Sequence, residues 1–421
     1  MNIPELMAPA GGFESLAAAL RSGVDSVYFG VGHLNMRSGA TANFAMGDLK
    51  KIVRLCRAAG VKAYLACNII VYDRELADVA RLLDAAAQAG VDAVIASDPA
   101  VIMLARERGI AVHLSVQANV ANLESVRFYA GFCDVVVLAR ELDLAQVGTI
   151  VRGIREQGIT SPSGVPVRTE LFVHGALCVA HSGKCYMSLT RYNASANRGA
   201  CLQNCRRRYR VTDIEDGVEL DIENGYVMSP ADLCMIRFIP EIIASGVDVL
   251  KLEGRGRSAD YVATVTRVYR EALDSYARGE FTLAAAEAWR SELQQVFNRK
   301  FWDGGYYLGE PLGEWSGSGG NQSPVVKTHI GKVLHHFSRV GAAEILLEAQ
   351  PLRLGERLLI TGGATGALEF TPEEMRVDDS LTEIAAKGEV VTVRVERKVR
   401  PNDRVYRLSE RCFGQGGVVK E

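Results

Sequence analysis

Five cysteines crowd one stretch of this 421-residue chain: Cys178, Cys185, Cys201, Cys205 and Cys234. The other four, Cys56, Cys67, Cys133 and Cys412, are scattered. Thiolates are soft ligands suited to zinc or to iron–sulfur clusters. Zinc sites favour cysteine pairs two to four residues apart, and only Cys201-x3-Cys205 has that spacing. Thiolates as spread as Cys178-x6-Cys185 followed by Cys201 suit a 4Fe–4S cluster at least as well. Several free buried cysteines would be the reading without chemistry. An odd total of nine argues against a full disulfide framework.

A second set of polar residues gains meaning from the elements that carry them. One phrase recurs, a Gly followed by a Val-rich apolar run: Gly23–Gly30, Gly60–Asn68, Gly90–Ser97 and Gly246–Glu253, with looser copies at Gly109–Gln117 and Cys133–Arg140. Each Gly closes an Ala-, Leu- and Arg-rich stretch of helical period, as a glycine past a helix C-terminus does. Each run is short and β-branched, as expected of a strand buried on both faces. With Leu6–Ala10 and Val167–Val173 the strands number eight, and the spacing predicts helices over Phe13–Ser22, Met46–Ala59, Arg74–Ala89 and Leu142–Glu156. Alternation of this kind predicts an α/β fold, a TIM-like (β/α) barrel. No Gly-rich dinucleotide fingerprint follows the first strand, which disfavours an open doubly wound sheet.

The barrel is expected over residues 1–315, with a cysteine-bearing insertion at about 174–234. A hairpin around Asp216-Gly217 is expected within it, from Arg210–Glu219 and Asp221–Met228. Ser316-Gly317-Ser318-Gly319-Gly320 opens what reads as a flexible linker, 316–325. Residues 326–421 read as a small all-β C-terminal barrel, with short strands between Gly turns.

Active sites of parallel barrels lie at the C-terminal ends of the strands. Those ends carry Asn68, Gln117, Asn119, Arg140, Glu141, Glu170, His174, Glu253 and Arg255, and the loop after the second strand adds Asn35, Arg37 and Asn43. Glu253, Arg255, Glu170 and His174 are the catalytic candidates. Asn35, Arg37, Asn43, Asn68, Gln117 and Arg140 are the substrate-binding candidates. Loop capping and internal ion pairs are the alternative, and a single His at a strand end is as often structural as functional. Arg206-Arg207-Arg208-Tyr209-Arg210 offers phosphate contacts with an aromatic ring for stacking, although a solvated hairpin edge would look the same. The cations Arg394, Arg397, Lys398 and Arg400 make a weaker case of the same kind.

A formal net charge of −2 means that nucleic acid, if bound, must be met by local patches. Mean hydropathy is +0.05, and no apolar run reaches the ~20 residues that span a bilayer. The first residues lack a basic segment followed by an apolar one, so a cytoplasmic protein without membrane attachment is expected. Neither a His-Glu-x-x-His zinc motif nor a Gly-x-Ser-x-Gly elbow occurs. Cys178 with His174 or His181 is the remaining nucleophile–base option.

Glu170-Leu-Phe-Val-His174-Gly-Ala-Leu-Cys178, with Ser182-Gly-Lys-Cys185 and Ser188, resembles the signature of the collagenase-like peptidase family U32. Glu5–Gly11, Asn197-Arg198-Gly199-x-Cys201-x3-Cys205-Arg206, Leu252-Glu253-Gly254-Arg255 and the terminal β-region match that family too. The resemblance covers nearly the whole chain. The branch that the chain most resembles makes 5-hydroxyuridine at the tRNA wobble position, with prephenate as hydroxyl source. Another branch hydroxylates a ribosomal RNA cytidine, and a third hydroxylates a quinone precursor without oxygen on a 4Fe–4S cluster; the family name implies a metal-linked or cysteine peptidase as the competing activity. The resemblance therefore implies a 4Fe–4S cluster, prephenate as co-substrate, tRNA as partner and an electron-transfer or related-family partner protein. It implies Cys178, Cys185 and Cys234 as ligands, with Cys201 as the fourth and Cys205 as its alternative. Arg206, Arg207, Arg208 and Arg210 would meet the RNA.

Overall fold

The computed structural model describes residues 3–39, 43–181, 183–217, 219–220, 225–226, 228–302 and 315–411. Eight parallel strands form the barrel: β1 (Glu5–Ala10), β2 (Ser26–Gly30), β3 (Lys62–Ala66), β4 (Ala93–Ala96), β5 (Ala111–Leu114), β6 (Val135–Val137), β7 (Arg168–Gly175) and β8 (Val249–Leu252). Each pairs with its predecessor through β7, and β8 joins β7 to β1, closing the ring. Apolar side chains on the outer strand faces pack against the surrounding helices, while Met7, Tyr28, Tyr64, Ile95, Val135 and Val249 form a separate cluster. The expected helices are present, including α1 (Phe13–Arg21), α2 (Leu49–Ala58) and α3 (Leu76–Ala89).

The recurring phrase has two structural jobs. Its glycines Gly23, Gly60, Gly90, Gly109 and Gly246 all have positive φ, from 67° to 81°, so the chain reverses there at no Cβ cost. The aspartates that follow Gly23, Gly90, Gly246 and Cys133 act as ties at the starts of the strands. Asp25 accepts the Leu6 N–H at 2.7 Å, Asp92 that of Ala63 at 2.7 Å, Asp134 that of Val112 at 3.0 Å and Asp248 that of Thr169 at 2.8 Å. Each carboxylate thus fastens the start of a neighbouring strand. Replacing Asp92 by Ala leaves the Ala63 N–H without that acceptor, and a stability loss of about 1–3 kcal/mol is expected in urea unfolding. A loss below the error of the measurement would show that water replaces the tie.

The insertion departs from the barrel after β7. Its strand Asp232–Cys234 turns back antiparallel on the end of β7, pairing Leu233 with Gly175 and Cys234 with His174. Of the expected hairpin, Val211–Thr212 pairs with Glu219–Leu220. Residue 218 of the expected first arm and residues 221–224 and 227 of the second lie outside the described residues.

The C-terminal region is an antiparallel eight-stranded sheet curled round its own core of Ile330, Ile345, Leu358, Ile360, Val391 and Val405. Its long strand Val325–Phe337 pairs with both Ala342–Leu347 and Arg404–Glu410. The strands Leu352–Arg353 and Ile384–Ala385 pair separately beside this sheet, and the whole makes the expected all-β C-terminal region. Cys412 lies outside the described residues.

The segment 316–325 corrects the expectation of a flexible linker. Ser316 is fully buried, with its hydroxyl 2.9 Å from that of Ser229. The Gln322 N–H donates to the Asn298 carbonyl at 2.7 Å, and the Ser323 hydroxyl to that of Gln295 at 2.6 Å. Serine hydroxyls that would solvate a free linker instead fasten this one to the barrel. Gly366 sits so close to α1 that a Cβ there would meet the Ala18 nitrogen at 2.8 Å, and Lys327 pairs with Asp260 at 2.8 Å.

Candidate active site

A cavity of about 280 Å³ opens at the C-terminal face of the barrel. Loops after β2, β3, β5, β6 and β8 bring Arg37, Asn68, Gln117, Arg140, Glu253 and Arg255 to its wall, and the insertion supplies Cys178, Cys185, Cys201 and Cys205.

Glu253 is the organising anion. It accepts from both Nε and Nη2 of Arg37 and from the Tyr28 hydroxyl at 2.8 Å. Burial alone would raise its carboxyl, but the neighbouring Arg37 and Arg255 charges and these bonds hold it at about 2. It is therefore ionised throughout the physiological range. Arg255 is buried and donates to the Asn35 side-chain oxygen at 3.1 Å. Gly30 makes that approach possible, since a Cβ there would lie 2.6 Å from Asn35 and 2.8 Å from the Arg255 guanidinium.

The charge balance of the wall is one-sided. Arg37, Arg140, Arg206, Lys251, Arg255, Arg257 and Arg299 line the cavity, and Glu253 is the carboxylate facing them. Arg37 pairs with Glu253, Lys251 with Glu170 and Arg299 with Asp232. The other four have no carboxylate within ion-pair distance among the described residues. The Nε groups of Arg140 and Arg255 are buried without a hydrogen-bond partner. Buried donors of this kind are costly unless a ligand completes them. Arg140 also lies over the Phe172 ring, 4.1 Å from its centroid.

The four thiols sense one another. Burial raises the Cys205 thiol. The Arg206 charge opposes this, while Cys178, Cys201 and Cys185 push it further up. No three His, Cys, Asp or Glu side chains among the described residues converge as a single ion requires. A 4Fe–4S cluster takes each thiolate on a different iron, so its ligands stand apart. The cysteine-only set around a shared cavity fits such a cluster.

Cys234 is not in this group. Its strand pairing puts it in the core, 1% exposed and in contact with the Tyr269 hydroxyl. Cys205, the alternative ligand that the resemblance implies, lines the cavity beside Cys178, Cys185 and Cys201.

Other candidates also moved. His174 does not line the cavity. It is packed among Tyr261, Tyr269 and Phe301, with Nδ1 3.4 Å from the Tyr269 hydroxyl. Glu170 is fully buried and away from the cavity wall, 2.7 Å from the Lys251 ammonium and 3.5 Å from His113. Asn35 is buried behind Arg255, and Asn43 bonds to Asn35 at 3.2 Å, so neither lines the cavity. Arg206 turns inward, donating to the Leu177 carbonyl at 2.8 Å and to that of Pro230, which removes it from an RNA-facing patch. Arg207, Arg208 and Arg210 are exposed, with Arg207 donating to the Tyr192 hydroxyl at 2.9 Å. Sequence reasoning missed Lys251, Arg257 and Arg299. A lone Lys in the apolar run Val249–Leu252 was the available signal for the first.

Burial lowers the His174 ring to about 3. The folded state holds it neutral, so protonation favours the unfolded chain, where the value is ~6.5. Its stabilising effect is complete above about 6.5 and falls by ~1.4 kcal/mol per pH unit on acidification toward 3. Glu253 is lost only below the ordinary carboxylate range, and the His336 ring, also lowered by burial, contributes equally to parent and variant, so the difference between the two chains from pH 6.5 to 5 isolates His174. Urea unfolding across that interval should show a shallower pH dependence in His174→Gln than in the parent chain. Identical slopes would dissociate His174 from acid sensitivity.

The profile of peptidase family U32 matches residues 11–317. A protein of Porphyromonas gingivalis (strain ATCC BAA-308 / W83) named collagenase is 49% identical over 411 residues, covering 98% of this chain and 99% of its own. The tRNA hydroxylation protein P1 of Bacillus subtilis (strain 168) is 36% identical over 303 residues, covering 70% of this chain and 69% of its own. A protein of Escherichia coli (strain K12) named 23S rRNA 5-hydroxycytidine C2501 synthase is 33% identical over 290 residues, covering 68% of this chain and 42% of its own.

Proposed function

The chain belongs to peptidase family U32, and from that premise we propose that it is an enzyme hydroxylating an RNA base, specifically a wobble uridine of tRNA to 5-hydroxyuridine. The observation that carries the reading is the junction of two unlike half-sites in one cavity. Four thiols line one part, and Arg140, Arg206, Arg255 and Arg257, guanidiniums without carboxylate partners among the described residues, line another. Relatives named for tRNA and rRNA hydroxylation support the RNA substrate.

A 4Fe–4S cluster would be held by Cys178, Cys185, Cys201 and Cys205 and would supply one-electron chemistry without oxygen. Arg255 and Arg140 carry the unpaired donors that match a carboxylate, and a dicarboxylate such as prephenate would satisfy both. Glu253 keeps Arg37 and Tyr28 in place, while Gln117 and Asn68 offer amide contacts to the base. The base must leave its stack to enter, because a stacked atom is poorly reached from a cavity of this depth. Placing a hydroxyl on the ring carbon removes two electrons from the base, and the hydroxyl donor would take them up as its own C–O bond breaks; a partner protein in the cytoplasm would set the redox state of the cluster. Among the described residues no helix is long and apolar enough to cross a membrane.

Peptidase chemistry finds less support at this site. The His174 ring is held away from the cavity that Cys178 lines, and His181 is 3.0 Å from Glu141. The test is expression in a host whose own tRNA uridine hydroxylation has been deleted. Mass spectrometry of tRNA nucleosides should show 5-hydroxyuridine derivatives with the parent chain and none with Cys205→Ala. Gelatin cleavage by the anaerobic protein, with an unchanged nucleoside profile, would replace this reading by the peptidase one.

A further inference from the structure

A second cavity, of about 680 Å³, lies in the seam between the two domains. Its barrel side is built by α1 and α2, and its other side by the turn at Gly363-Ala364 together with Arg400. Phe13, Leu20 and Leu55 give it an apolar floor, and Leu55 is 37% exposed. Every charged side chain lining it is a cation: Arg21, Lys51 and Arg400. The whole chain has 50 acidic and 48 basic residues, so this run of one sign is local.

Two of these cations are held in place. Arg21 donates to the Ala364 carbonyl at 3.0 Å, and the Lys51 ammonium sits 4.0 Å from the centroid of the Phe13 ring. Phe13 in turn packs edge-on against Phe44, at 5.0 Å, on the loop that brings Arg37 to the first cavity. An apolar floor under a cationic rim suits a ligand that joins a flat apolar body to a phosphate. The volume is ample for one nucleotide.

We propose that this inter-domain cleft binds an unpaired nucleotide of the RNA substrate, remote from the base that reacts. The base and sugar lie on Phe13, Leu20 and Leu55, and the flanking phosphates meet Arg21, Lys51 and Arg400. Both domains contribute, which explains why the C-terminal sheet is fastened to the barrel instead of hanging from it. The proposal rests on the reading that RNA is the substrate and assigns a place where that RNA is gripped.

Binding of full-length, unmodified tRNA to the whole protein tests it, measured by fluorescence anisotropy between 50 and 200 mM salt (about the range where phosphate contacts are most visible). The double variant Lys51→Ala, Arg400→Ala should bind at least about tenfold more weakly and lower the salt slope by about 2. Leu55→Glu, at an exposed position, should weaken binding comparably by placing a carboxylate beside the phosphates. Lys387→Ala, an exposed lysine outside the cleft, should leave affinity and slope near the parent values. Parent-like binding by both cleft variants overturns the cleft proposal and leaves the RNA reading standing. The same result with loss of a co-purifying protein reassigns the cleft to a protein partner. A parent chain that binds no tRNA overturns both.

Discussion

Protein purified without oxygen is expected to be brown and to hold about four irons with matching sulfide per chain. Replacing Cys205 by Ala should remove most of that iron, as should Cys178→Ala, Cys185→Ala or Cys201→Ala. Replacing Cys234 by Ala should leave it in place. The contrast between Cys205 and Cys234 is the informative one, because the two thiols lie in one insertion and differ in surroundings. Cys205 lines the cavity with three other thiols, and Cys234 lies in the core against Tyr269. Removing the Cys234 sulfur opens a small apolar void, which costs about 1 kcal/mol and no ligand. Iron retained in Cys205→Ala and lost in Cys234→Ala would restore the assignment made by resemblance. Stoichiometric zinc without sulfide would remove the cluster altogether.

The barrel was legible because one phrase repeats. A helix-ending glycine and a Val-rich run recur along the barrel, four of the copies carry an aspartate at the start of the run, and the structure shows a physical use for each part. Side-chain direction at the edges of the insertion was not legible. Whether Cys234 faces the cavity or the core depends on its antiparallel pairing with His174, a contact between residues 60 apart in sequence. The same pairing takes His174 away from the cavity. Lys251 was hidden by its context, since a run of Val and Leu reads as core. A lone ammonium in such a run needs a partner, and Glu170 on the neighbouring strand provides it at 2.7 Å. The segment 316–325 was misread from composition. Ser and Gly suit a loose chain, and they suit equally a close-packed one whose hydroxyls have acceptors. The inter-domain cleft had no sequence signal, because its floor and rim come from segments hundreds of residues apart.

Arg255→Ala is expected to reduce hydroxylation by about 10²-fold or more, the usual result of deleting a buried donor that faces a reacting anion. The loss should appear chiefly in the KM for the carboxylate donor if Arg255 binds it in the ground state, and in kcat if its contact strengthens at the transition state. Either split places the guanidinium on the donor. Arg255→Lys should not restore activity, since one ammonium cannot form the two parallel bonds that a guanidinium gives a carboxylate. The fold should survive both changes. Arg255 has no ion-pair partner to strand, and Glu253 keeps Arg37 and the Tyr28 hydroxyl. Glu253→Ala is the opposite case. It leaves the Arg37 charge beside a buried Arg255 with no anion between them, and removing one member of a buried charged set costs about 3–5 kcal/mol. Thermal unfolding therefore separates the two sites: Arg255→Ala should melt near the parent chain while inactive, and Glu253→Ala should melt well below it. Parent-level hydroxylation in folded Arg255→Ala would show that the donor is held elsewhere on the wall, with Arg140 the next guanidinium to remove.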